Sequence, residues 1–366
     1  MSAAGSFAQR VIRWQRQHGR HQLPWQNTRD PYRVWLSEIM LQQTQVQTVL
    51  RYYSRFLEAF PDVKALAAAS EDAVLQLWSG LGYYSRARNL HRAARAVASQ
   101  WQGEFPHSAA ALATLPGIGP STANAIASFC FGERVAILDA NVRRVLARHL
   151  AFGEDLSSAR AIEDLWRQAD ALLPHGSPEA LVRDMPSYTQ GMMDLGAQLC
   201  TPRQPRCEQC PVAQDCLAHR SARELDFPVR SRKLKRKAVA WWWLMLRDPS
   251  GRLWLQKRPD TGVWAGLYCF PSYASEPEML QAVTALGLDD PRPGWLPALT
   301  HVLTHMDIQL LPAVLQLSET ADPEAIARTL GAGMWADAQG LAAQAHGVPA
   351  PLRLVVRGLD GMGGME

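Results

Sequence analysis

From residue 7 to about 220, apolar positions recur at helical spacing and strand-like alternation is nearly absent. Within 37–57, Ile39, Val46, Val49, Leu50, Tyr53 and Phe56 share one such pattern, which predicts helix there. Arg86–Trp101 and Ala140–Leu150 carry the same period, and Ser187–Leu199 predicts a helix that leads directly into a group of cysteines. Short Pro/Gly turns separate these stretches. Further on the pattern changes. Val239–Leu246, Leu253–Lys257 and Ile308–Val314 read as strands, set apart by turn signals such as Asp248-Pro249-Ser250-Gly251. Short helical patterns follow near 275–286 and 349–358. The expected organisation is a helical domain over 1–222, a basic linker over 223–237 and a smaller α+β domain over 238–366. Trp241-Trp242-Trp243 at the head of the second domain reads as a strand wall and is assigned no site.

The 366 residues suffice for two cores, and 47% hydrophobic with 20% charged residues is ordinary for a globular chain. No apolar run reaches 18 residues, so no membrane span is expected. The first thirty residues mix Arg, His and Gln among the apolar positions and lack the block of a secretory signal. The expected compartment is the cytosol, where disulfides are rare. A net charge of +4 hints only weakly at a polyanionic partner. Its distribution says more, since residues 230–237 hold six basic side chains in eight. A solvated linker and a segment lying near phosphates both fit that run.

Of six cysteines, Cys130 and Cys269 sit in apolar surroundings and read as packing residues. Cys200, Cys207, Cys210 and Cys216 form a C-x6-C-x2-C-x5-C array within seventeen residues, which points to a metal site. Only one close Cys-x-x-Cys pair is present, where zinc sites more often have two, and compact four-thiolate loops also suit a [4Fe–4S] cluster. Spacing alone leaves zinc open. Arg203 and Arg206 inside the loop, with His219 and Arg220 after it, make it basic.

Leu115-Pro116-Gly117-Ile118-Gly119 lies between two helical patterns. Its glycines permit a tight turn, and the N–H groups opening the next helix can hold a phosphate. Twenty residues after Gly119, Asp139 ends the apolar run Val135–Leu138 and precedes a helix. An aspartate there is most simply an N-cap, and equally a fixed anion facing a cleft.

The hairpin, the aspartate twenty residues on and the four-cysteine loop resemble the endonuclease III superfamily of DNA glycosylases and, within it, the adenine glycosylases of the MutY family, over almost the whole chain. The fold this implies is an all-α, two-lobed helix-hairpin-helix glycosylase domain with a [4Fe–4S] loop, followed by a C-terminal α+β Nudix-like domain. The segment Trp35-Leu36-Ser37-Glu38-Ile39-Met40-Leu41-Gln42-Gln43-Thr44-Gln45-Val46 is similar to the family segment that carries a catalytic glutamate, matched here by Glu38. Ser121 stands where strand-cleaving members carry a lysine that forms a Schiff base. A hydroxyl cannot form that imine. Gln256–Pro259 and Gly262–Pro271 resemble the family's second domain, itself similar to the Nudix hydrolase of oxidised dGTP. The Glu-rich metal helix of a working Nudix box is missing: Ser-Tyr-Ala-Ser-Glu-Pro-Glu-Met-Leu follows Pro271 instead. Binding of an oxidised purine, not nucleotide hydrolysis, is what the resemblance implies.

The resemblance assigns further roles. Glu38 would protonate N7 of adenine, while Asp139 as a carboxylate stabilises the oxocarbenium ion or bonds transiently to the anomeric carbon. Apolar Trp35, Ile39 and Leu41 can raise Glu38, and the helix start can keep Asp139 ionised. Asn141 would orient the sugar or a water, Trp25 and Gln190 would form the adenine pocket, and Gln43 and Tyr83 would fill the gap left by the extruded base. Leu115, Gly117, Gly119 and Ser121 would contact DNA. Leu303-Thr304-His305 replaces the family's usual Phe-Ser-His lesion loop: Thr304 keeps a hydroxyl for the lesion's N7–H, but Leu303 cannot stack as an aromatic ring would. The expected partner is double-stranded DNA with adenine opposite 8-oxoguanine or guanine, bound by a monomer. A mismatch thymine or uracil glycosylase, a strand-cleaving lyase, a catalytically dead DNA-binding protein and a free-nucleotide pyrophosphatase are the competing readings.

Overall fold

The computed structural model describes residues 5–231, 236–288, 291–342 and 346–360. None of its helices is long and apolar enough to cross a membrane. The chain divides into two compact units, one of Met1–Ala67 with Arg92–Lys233, the other of Ala68–His91 with Leu234–Glu366.

The first unit is helical, and its breaks place the site. The helix Pro31–Leu41 starts at Asp30, whose side chain accepts from the Tyr32 N–H, with Pro31 preset for the first turn. The single helix expected over 37–57 is in fact two, because Gln43 takes a left-handed φ of 56° and a new helix begins at Val46. The helix Pro178–Asp194 packs on Phe7–His18 and Pro120–Phe131. A Cβ on Gly191 would meet Val11 Cγ1 at 2.7 Å, so glycine is what lets the first of these crossings close. The helix expected over Ser187–Leu199 is the last part of this one, continued by a π-helical turn at Leu195–Leu199. There Gly196 stands where a Cβ would meet Asn141 Cβ at 2.6 Å.

The first unit also takes in the start of the expected linker. Phe227 is buried against Ala147 and Ala218, and the Val229 carbonyl accepts from the Leu156 N–H at 3.0 Å. Of the basic run, 232–235 lie outside the described residues.

The second unit carries a mixed sheet of β1 (Lys237–Arg247), β2 (Leu253–Lys257), β3 (Tyr268–Cys269), β4 (Ser272–Tyr273), β5 (Gly294–Trp295), β6 (Leu299–Val302), β7 (Met306–Gln316) and β8 (Met334–Ala336). Its main path runs β3-β2-β1-β7-β5. β1 and β7 pair in parallel along their full length, from Lys237 opposite Met306 to Arg247 opposite Gln316, and the remaining pairings are antiparallel. The expected strand wall is present: Trp243 is fully buried beside Trp264 and Phe270. Helix Glu276–Ala285 packs Met279 and Val283 against Leu244, Leu246 and Leu315. This unit also claims Ala68–His91, which the expected 1–222 domain had included. Hydrogen bonds account for it: Ser79 Oγ donates to the Val348 carbonyl at 2.9 Å, Arg353 donates to Ser79 Oγ at 2.6 Å, and Lys257 pairs with Asp72.

Candidate active site

Helix Ala109–Leu112 leads into a turn at Gly117, whose φ of 75° calls for glycine, and then into the helix Pro120–Phe131. Gly119 is the N-cap of that helix, with no side chain closing its first turn and open space around its Cα. The free N–H groups there remain available to an external anion. Leu115 is buried, so its side chain anchors the hairpin and any DNA contact from this residue runs through the backbone. Ser121 Oγ accepts from the Leu138 N–H at 3.0 Å, tying the hairpin helix to the residue before Asp139.

Asp139 caps the helix Ala140–His149, accepting from the Val142 N–H at 2.7 Å. It is both the cap and a wall of the cleft, so its two sequence readings hold together. A cleft of about 1240 Å³ is lined by Trp25, Glu38, Gln43, Ser121, Asp139, Asn141 and Gln190, seven of the expected site residues. That exceeds the roughly 300–1,000 Å³ of a small-molecule pocket and leaves room for an extruded nucleotide. Asn141 is tethered through Arg144, which donates to Asn141 Oδ1 at 2.8 Å and to the Gly196 carbonyl at 2.6 Å.

Burial shifts both carboxyls upward. Burial pushes Glu38 up to about 8, and the charge of Asp139 adds to the rise. Glu38 therefore carries a proton at neutral pH, as a general acid must. Trp35 and Ile39 beside it are buried. Asp139 departs from expectation. The Val142 and Asn141 N–H groups and Arg144 and Arg143 pull its pKa down, but burial outweighs them and the net shift is upward. The helix start moderates Asp139 without holding it in the ordinary carboxylate range.

Gln190 donates its Nε2 to Asp194 at 2.9 Å, and Asp194 is itself paired with Arg20 at 2.7 Å. Neither partner was anticipated. The i,i+4 spacing of Gln190 and Asp194 on one helix is the signal that can find the first of them. Trp25 is buried with its ring edge-on to Tyr53 at 5.2 Å, so it serves the core and the cleft wall at once.

Tyr83 and Leu303-Thr304-His305 belong to the second unit. Tyr83 is exposed at a left-handed φ of 48°, in a turn that also holds Gly80 and Gly82 at positive φ. Arg86 braces it, donating to the Leu81 and Gly82 carbonyls with its guanidinium 5.5 Å from the Tyr83 ring centre. Leu303-Thr304-His305 forms the tip between β6 and β7, closed by the Leu303 N–H on the Met306 carbonyl at 2.8 Å. Thr304 Oγ1 is hydrogen-bonded to the Tyr83 hydroxyl, so two residues 221 apart in sequence share one place.

Cys200, Cys207, Cys210 and Cys216 together wall a second cavity, closed by Leu199, Val212, His149 and Arg148. Four sulfurs facing one largely apolar space fit a four-thiolate cluster. Buried Arg148 frames the loop by donating to the Thr201, Pro202 and Phe227 carbonyls and to Cys200 Sγ. Glu224 accepts from His219 at 2.6 Å, bracing the far side.

A cleft with two carboxyls, an open hairpin helix and a four-cysteine loop define a helix-hairpin-helix base-excision DNA glycosylase. The comparisons agree. Residues 36–169 match the HhH-GPD superfamily of base excision DNA repair proteins, 200–216 the iron-sulfur binding domain of endonuclease III, and 242–357 the NUDIX domain. The adenine DNA glycosylase of Buchnera aphidicola subsp. Schizaphis graminum is 30% identical over 96% of this chain and 97% of its own length. The Homo sapiens adenine DNA glycosylase is 34% identical over 81% of this chain and 63% of its own. Among solved structures, a thermostable thymine-DNA glycosylase covers 59% of this chain and 95% of its own, at 27% identity and a TM-score of 0.51. The chain belongs to the adenine DNA glycosylase family. It hydrolyses the N-glycosidic bond of adenine in base excision repair, and its four-cysteine loop carries a [4Fe–4S] cluster.

Proposed function

We propose that the preferred substrate is adenine opposite 8-oxoguanine, or opposite guanine, in double-stranded DNA, and that the base is removed without strand cleavage. The observation that supports this most is the presence, in one cleft, of Glu38, which burial raises to about 8, with Asp139, the N-cap of its helix. Glu38 protonates N7 of the extruded adenine, which makes the base a better leaving group. Positive charge then grows on the sugar, and the Asp139 carboxylate stabilises it. Asn141, tethered by Arg144, orients the sugar or the attacking water. Ser121 supplies no amine, so no Schiff base forms and the product is an abasic site in an intact strand.

Trp25 and Gln190 hold the base, Gln43 and Tyr83 support the opened duplex, and the hairpin backbone at Leu115, Gly117, Gly119 and Ser121 meets a phosphate. Thr304, with Leu303 and His305, reads the oxidised purine. The division of labour follows the expected bounds, 1–222 for chemistry and 238–366 for lesion reading with 223–237 between them, extended by the association of 68–91 with the second part. The protein acts as a monomer in the cytosol. The cluster braces the basic loop of Arg203 and Arg206 as a structural group.

The test is single-turnover base release from duplexes with one adenine opposite 8-oxoguanine, guanine or thymine, each sample split with and without alkali. Strand breaks only after alkali, fastest opposite 8-oxoguanine and absent opposite thymine, support the reading. Breaks without alkali, or equal rates opposite 8-oxoguanine and guanine, contradict it.

A further inference from the structure

The cleft contains an ion pair that bond hydrolysis does not use. Asp194 ends the helix Pro178–Asp194 and is fully buried. Its Oδ1 accepts from Arg20 Nε at 2.7 Å and from Gln190 Nε2 at 2.9 Å, and its Oδ2 accepts from the Arg20 backbone N–H at 2.9 Å. A carboxylate can only accept. Gln190 must therefore turn its NH₂ toward Asp194, since a flipped amide would set its carbonyl against a buried anion. Gln190 also lines the cleft. Asp194 takes one of the two N–H donors, and the carbonyl oxygen, fixed at the opposite end of the amide, is left as the acceptor that can meet a base.

We propose that Asp194, paired with Arg20, is a positioning residue that fixes the polarity of Gln190 and so makes the cleft select purines with an amino group at C6 over purines with an oxygen there. The proposal rests on the reading that the extruded adenine meets Gln190. Adenine presents an N6–H donor to the waiting carbonyl. A 6-oxopurine presents an acceptor, so oxygen faces oxygen and both lose their partners. Guanine and 8-oxoguanine are 6-oxopurines. The same polarity therefore keeps the cleft from accepting the wrong member of the mispair.

The experiment compares single-turnover release of adenine, hypoxanthine and unsubstituted purine, each opposite guanine, by the wild-type protein and by Asp194→Asn, Asp194→Glu and Gln190→Met. Asparagine can donate to Gln190 as well as accept, which frees the amide to flip. D194N should lower the adenine-to-hypoxanthine rate ratio by about tenfold, the scale of one hydrogen bond, while purine, which has no C6 substituent, reports general damage. D194E keeps an acceptor-only partner and should retain the ratio even if all rates fall. Equal losses on all three bases in D194N would show Asp194 to be merely structural and overturn the proposal. Gln190→Met separates the two levels: an unchanged adenine-to-purine ratio removes Gln190 from base reading altogether. If D194N does not fold, wild-type binding decides. Duplexes with 2′-fluoro nucleotides that resist hydrolysis should bind about tenfold tighter with adenine than with hypoxanthine, and equal affinity would overturn the proposal.

Discussion

The cleft of the first unit and the hairpin tip of the second both present side chains from strained backbone, yet they treat polar groups in opposite ways. Gln43 at the cleft and Tyr83 beside the tip occupy the left-handed region that bulky residues avoid. In the cleft, the ionisable groups are shielded: burial raises Glu38 to about 8, and Asp139 accepts from the Val142 N–H as the cap of its helix. At the tip, Thr304 and His305 are exposed, and the Thr304 hydroxyl is held by Tyr83. Proton transfer needs a shifted pKa and hence burial, whereas reading a base edge needs accessible donors and acceptors. Substitutions in the cleft should therefore change rate, and substitutions at the tip should change preference.

The strongest way to break this contrast is Asp139→Asn. Asparagine is as good an N-cap as aspartate, so the fold should survive while single-turnover adenine release falls by about 10³-fold or more. A variant of normal rate would remove Asp139 from the chemistry. Glu38→Gln comes next, with an expected loss of about 10²–10⁴-fold, read in the same assay. Arg148→Met tests a third region. It strips a buried cation from three carbonyls and a cluster ligand, and should destabilise the protein by about 3 kcal/mol or more. Thermal unfolding and the iron–sulfur absorbance near 400 nm should fall together, and a fully loaded, equally stable variant would refute the framing role. The smallest effect belongs to the tip. Thr304→Val should reduce the preference for 8-oxoguanine over guanine by up to about tenfold and leave release opposite guanine unchanged. A uniform loss of rate would erase the distinction between the two regions.

Point substitutions serve this purpose better than deletion of 238–366. Ala68–His91 pairs through Ser79 and Asp72 with Val348, Arg353 and Lys257, and deletion would strip those partners away. That association was hidden in the sequence because its contacts join residues nearly 200 or more positions apart. Periodicity read the helices well, and runs of apolar residues between turn signals read the three longest strands. It missed the break at Gln42–Gln45, where Val46 continues the apolar spacing across a residue that cannot be helical. The parallel pairing of β1 with β7 was likewise illegible, because nothing local names a partner about seventy residues away. At the site, Asp139 was legible as both cap and anion, but not the balance in which burial outweighs its N–H donors. Asp194 and Arg20 went unseen because their role exists only where the loop after one helix meets the end of another.

The central claim is that Glu38 is the general acid of the cleft, protonated because it is shielded and faces Asp139. The pH dependence of single-turnover adenine release, in wild type and Glu38→Gln, tests it most directly. The raised pKa means the active, protonated form is present below about 8 and lost above it. The wild-type rate should therefore fall as pH rises through about 8, and the residual rate of the glutamine variant should not. The same alkaline fall in Glu38→Gln would assign the proton to another group and contradict the account.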